Sequence, residues 1–100
     1  MPIMLILHGP EMTREQYDSL RPVVQWESEH PEGILLHTCG FDEAGGLHVV
    51  DIWESAGHME NFFQSRLMPA MQELNIAMPA PQVCEVHNVD AFPGIERHTP

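Results

Sequence analysis

The chain opens on Ile3-Met4-Leu5-Ile6-Leu7, an unbroken apolar run that predicts a buried strand over residues 3–8, stopped by Gly9-Pro10. Beyond it the period becomes helical. Thr13 with Gln16 three residues on has capping-box form, and Tyr17, Leu20 and Val24 recur on one face, so a helix is predicted over residues 13–27. Pro22 is expected to kink it or end its regular part early, because proline brings no N–H to the helical ladder. After the polar turn His30-Pro31-Glu32-Gly33, residues 34–41 predict a second strand and Leu47 to Trp53 a third, joined as a hairpin across Asp42 to Gly46. Ser55 caps a second predicted helix with Met59, Phe62, Phe63 and Leu67 on one face, and Pro69 is expected to break it before a short segment bearing Met71 and Leu74. Pro79 and Pro81 fall in a loop, and residues 83–89 predict a fourth strand. Residues 90–100 read as a tail, or as an arm reaching across a partner.

The order β-α-β-β-α-β is that of a ferredoxin-like α+β fold, a four-stranded antiparallel sheet with both helices on one face. It predicts a single domain over residues 1–90 and a C-terminal tail over 91–100. Side chains alternate along strands, so the hairpin divides into two sets. One holds Ile34, Leu36, Val50 and Ile52; the other holds Leu35, His37, Cys39, Phe41, Leu47, Val49, Asp51 and Trp53. A five-residue loop pairs Phe41 with Leu47, Cys39 with Val49, His37 with Asp51 and Leu35 with Trp53. A slip of one residue would part His37 from Asp51. The first set is expected to receive the helices. The second is too apolar for water, and we expect a second copy of the chain to close it off around a small-molecule cavity.

Four Lys and Arg stand against fifteen Asp and Glu, a formal charge of −11, the wrong sign for phosphate backbones or anionic membranes. Nucleic-acid and membrane partners are therefore excluded as expectations. Seven His make the charge responsive to pH. Two cysteines, Cys39 and Cys84, are too few for a disulfide framework, which favours a reducing, cytoplasmic setting.

The candidate chemistry lies on the second strand set. A carboxylate bonded to an imidazole fixes its tautomer and raises its basicity, so His37 and Asp51 are the candidate general base and its orienting group. The same pair is equally a device for fixing strand register. Trp53, Leu35, Cys39, Phe41 and Val49 share the face and are the expected substrate-binding wall, with Cys39 acting as a small hydrophobe rather than a nucleophile. His8 ends the first strand and Glu85 and His87 alternate on the fourth, so His8 and His87 join the expected cavity. His8, His37, Asp51, Glu85 and His87 are donors suited to Zn, Fe or Cu. No two His share an element at ligand spacing, and no metal site is assigned.

Val49-Val50-Asp51-Ile52-Trp53-Glu54-Ser55, entering the second helix, and Arg66-Leu67-Met68-Pro69-Ala70 further on are similar to signatures of the dimeric α/β-barrel superfamily. Over about residues 2–90 the chain resembles its antibiotic-biosynthesis-monooxygenase-like members. The resemblance implies a homodimer of ferredoxin-like subunits packed sheet to sheet, each enclosing a small-molecule pocket. It also implies a range of activities: cofactor-independent quinone-forming monooxygenases, haem-degrading monooxygenases, lactone isomerases, polyketide cyclases and aldoxime dehydratases. Trp53 matches the pocket tryptophan of both monooxygenase groups; Val49 stands where the quinone-forming enzymes place Asn, and Phe63 where the haem degraders place His. The resulting expectation is a cofactor-independent, monooxygenase-like enzyme that deprotonates an aromatic or polyketide-like substrate. The alternatives are a cyclase or isomerase on the same scaffold and a non-catalytic binding barrel, with haem or a transition metal as the remaining cofactor option.

Overall fold

The computed structural model describes all residues, 1–100. Strand β1 (Ile3–Gly9) leads to helix α1 (Arg14–Val24), the hairpin β2 (Ile34–Phe41) and β3 (Leu47–Trp53), and helix α2 (Ala56–Phe62). A π-helical turn (Phe63–Leu67), helix α3 (Met68–Glu73), strand β4 (Pro81–Glu85) and a 3-10 helix (Pro93–His98) follow. The four strands order as β2-β3-β1-β4, with every neighbouring pair antiparallel. This is the ferredoxin-like sheet anticipated from the element order.

Each departure from the predicted boundaries has a local cause. At the start of α1, Thr13 accepts the Gln16 N–H while Gln16 accepts the Thr13 N–H, the reciprocal cap its sequence implies. The helix stops at Val24 rather than at 27: Gln25 turns into the left-handed region at φ 62° and donates to Arg21 O, three residues after Pro22 has weakened the ladder. Pro69 does not break the second helix. Met68 N–H already reaches back to Phe63 O, so the proline arrives where the regular ladder has shifted register, and its missing N–H interrupts nothing further. From the same π turn Arg66 Nη2 donates to Val24 O at 2.7 Å, at the carbonyl end of α1, and to Glu29 O at 2.8 Å in the turn that follows. Strand β4 spans 81–85 instead of 83–89 because its partner β1 begins at Ile3, opposite Glu85; one more bond, Val86 N–H to Pro2 O, ends the pairing.

The hairpin register is the predicted one for Phe41 with Leu47, Cys39 with Val49 and His37 with Asp51. A β-bulge between Ile34 and Leu36 changes its open end. Ile34, not Leu35, pairs with Trp53, and Leu35 is left unpaired and 53% exposed.

The faces are used the other way round from the expectation. Leu5, Leu47, Val49 and Trp53 pack with Leu20, Val24, Met59, Phe62, Ala70 and Met71 in one cluster between sheet and helices. The helices therefore cover the face that carries Asp51 and Trp53, and Leu36, Val50 and Ile52 lie on the opposite face beside Met4 and Ile6. Bulk explains the choice: a helical layer about 10 Å from a sheet must be filled, and Trp53, 1% exposed and 5.4 Å from the Phe62 ring, fills it better than the β-branched set. No helix is long and apolar enough to cross a membrane.

Candidate active site

Between the sheet and the helices the packing leaves a cavity of about 110 Å³. Leu7, Leu47, Val49 and Trp53 form its floor, and Tyr17, Leu20, Phe62, Phe63 and Met71 form its roof. Into this apolar enclosure project two ionisable side chains of the hairpin, His37 and Asp51. They face each other because the hairpin register puts them directly opposite on one face.

The pair extends into a chain of three. His37 Nδ1 donates to Asp51 Oδ1 at 2.6 Å, and the Tyr17 hydroxyl donates to His37 Nε2 at 2.7 Å. The Asp51 side chain is 8% exposed and that of His37 27%, so the carboxylate sits at the closed end and the imidazole nearer the mouth. Trp26 meets the His37 ring edge-on at 5.4 Å, and the Tyr17 ring lies nearly parallel to it. Burial pushes the Tyr17 phenol well above its ordinary range, with Cys39 adding to the shift, so the phenol keeps its proton and remains a donor. Burial likewise raises the Cys39 thiol, which disfavours the nucleophilic thiolate.

Of the other expected residues, Trp53 and Val49 line the cavity. Trp53 brings a further feature: its indole Nε1–H is buried with no hydrogen-bond partner. A buried unpaired donor costs about 1–3 kcal/mol, a cost removed when an acceptor binds beside it. Cys39, Phe41 and Leu35 do not line this cavity. They border an outer groove along β2, where Phe41 stands edge-on to Tyr17 and beneath the Arg14 guanidinium. Tyr17, Trp26, Ile34 and His37 border cavity and groove alike and form the wall between them.

His8 and His87 are not brought to the site. His8 points from the open face of the sheet, since it pairs with His48 rather than with a cavity residue, and His87 is exposed beyond the end of β4. The set His8, His37, Asp51, Glu85 and His87 is thus dispersed, with only His37 and Asp51 together. Phe63, which stands where the haem degraders place His, lines the cavity and offers no ligand atom.

Tyr17 and Ile34 are site residues that sequence reasoning left to the packing between helix and sheet, and Trp26 is one it did not single out. The available signal was the hydroxyl of Tyr17, a polar tip on the otherwise apolar stripe of α1 that contains Leu20 and Val24.

Fold and site together define a ferredoxin-like α+β protein with an aromatic-walled cavity and an internal Tyr-His-Asp hydrogen-bond chain. No protein-family model matches the chain, and no curated protein matches it in sequence. Among solved structures it is similar to Rv0793 from Mycobacterium tuberculosis, at TM-score 0.68 and 13% identity over 91% of this chain and 100% of that one. It is similar to a protein of Chloroflexus aurantiacus J-10-fl provisionally described as an antibiotic biosynthesis monooxygenase, at TM-score 0.66 and 13% identity over 91% and 98%. It also resembles a variant of SnoaB, a cofactor-independent oxygenase from Streptomyces nogalater, at TM-score 0.60 and 9% identity over 92% and 97%. The fold is the one shared by these three structures.

Proposed function

We propose that the chain is a small-molecule enzyme that deprotonates an aromatic or polyketide-like substrate and, without a bound cofactor, lets the resulting anion react with O₂. The observation that carries this reading is the Tyr17–His37–Asp51 chain in an otherwise apolar cavity. A substrate O–H or activated C–H that approaches the Tyr17 oxygen gives up its proton as Tyr17 passes its own to His37 Nε2, and Asp51 stabilises the imidazolium. The Trp53 Nε1–H is the donor for the oxygen on which negative charge develops. For a ring methylene the overall change is R₂CH₂ + O₂ → R₂C=O + H₂O, with O₂ as the only co-reactant. The description of SnoaB as a cofactor-independent oxygenase supports this assignment. A cyclase or isomerase would use the same base to make an enolate.

The proposal includes a homodimer formed through the open face. Met4, Ile6, Val50 and Leu36 are part-exposed on a sheet face outside the helix-covered cluster, around a buried Ile52. Residues 1–90 are read as the domain and 91–100 as an arm, whose Phe92 and Ile95 are 72% and 49% exposed. The test is incubation with one- to three-ring phenols in air and under argon. Oxygenase activity predicts one O₂ consumed per product and none formed under argon. Product under argon instead assigns a cyclase or isomerase, and saturable binding without product assigns a binding barrel.

A further inference from the structure

On the open face, far along the strands from the bulge, β1 and β3 place His8 opposite His48, and the loop after β2 returns Asp42 to the same spot. The imidazole centroids lie 4.4 Å apart, and His48 Nε2 is 2.8 Å from Asp42 Oδ2. One ligand-capable atom from each of the three lies within 4.8 Å of the others. None of the three touches the cavity.

We propose that His8, Asp42 and His48 form a binding site for a divalent first-row transition ion such as Zn²⁺. The first support is the way two of the three ligands are held from behind. His8 Nδ1 donates to Leu47 O at 3.3 Å, which leaves the lone pair on Nε2, and Asp42 Oδ1 accepts the Gly46 N–H at 2.9 Å, which leaves Oδ2. Outer hydrogen bonds of this kind fix tautomer and orientation in metal ligands. The second support is spacing. Metal–ligand bonds of about 2.0–2.2 Å put neighbouring ligand atoms roughly 3–3.5 Å apart, a distance these exposed side chains reach by small rotamer adjustments. The third is chemistry: two imidazoles and one carboxylate suit zinc, nickel or copper, whereas magnesium and calcium prefer oxygen. A His48–Asp42 ion pair alone gives His8 no part, whereas an ion engages all three.

Three protein ligands leave a coordination position for water. The ion would tie the hairpin loop to the central strand β1, a structural clip separate from the proton chain. The test is titration of metal-free protein with Co²⁺, followed by visible absorption, and with Zn²⁺ by calorimetry. We expect one ion per chain and a rise in the melting temperature of the wild type. His8→Ala, His48→Ala and Asp42→Asn should each weaken binding at least about tenfold, the scale on which even outer-shell contacts count. His30→Ala, at an exposed loop position, should bind as wild type does. Absence of saturable binding at one equivalent, or binding that survives both His8→Ala and Asp42→Asn, overturns the site. All three side chains are on the surface, and melting curves without metal verify that the variants fold.

Discussion

One face of the sheet gives Leu5, Val49, Asp51 and Trp53 to the helices of its own chain; the other gives Ile6, Val50, Ile52 and Leu36 to no helix. Both are apolar, and both come from the same two central strands. Hydrophobicity therefore does not decide which face a helix covers. Side-chain size does, together with what must be kept from water: the covered face carries the Trp53 indole and a carboxylate whose only side-chain partner is His37. The carboxylate is tolerated in that layer because it belongs to a hydrogen-bond chain, while the Trp53 Nε1–H is left buried without a partner. The uncovered face needs no such pairing and instead needs area against a partner.

The comparison breaks most visibly at His37. His37→Gln keeps a hydrogen-bonding side chain opposite Asp51 but cannot relay a proton, so turnover should fall about 10²–10⁴-fold while binding changes little. A variant with wild-type turnover would reduce the pair to a register device. Next comes Trp53→Ala, which empties the covered face at its least exposed aromatic residue. Urea unfolding should show a loss of about 3–5 kcal/mol, and a loss under 1 kcal/mol would show that the layer is not packed as described.

Val50→Asp attacks the other face. Light scattering should find the mass reduced from two chains to one, with the chain still folded by circular dichroism, because a charge at the centre of an apolar interface is left unpaired. A dimer that persists would move the interface elsewhere. The smallest effect concerns Tyr17. Its folded-state pKa is raised, so its contribution to stability is complete below the ordinary phenol value of about 10 and is lost as pH rises through the folded value. Tyr17→Phe should remove that alkaline slope from the pH dependence of the melting temperature.

Much of this was legible in residue order. Turn chemistry at Asp42 to Gly46 set the loop length, loop length set the register, and register placed His37 opposite Asp51. The Thr13 cap and the three hairpin and first-strand runs followed from local pattern alone. Pro69 was misleading because a π turn is invisible to a rule written for the regular ladder. Leu35 was misleading because a bulge adds one residue and reverses the alternation beyond it.

The site divides along the same line. The element order, the acidic charge and the imidazole–carboxylate pair follow from residue order, since each depends on neighbours in the chain or on one short hairpin. Packing in three dimensions is what lays the helices over the Trp53 face, brings the Tyr17 hydroxyl from α1 to His37, and sets His8 beside His48 and Asp42 outside the cavity. Those contacts join residues far apart in sequence, and what selects among them is the filling of space between layers, which no local pattern encodes.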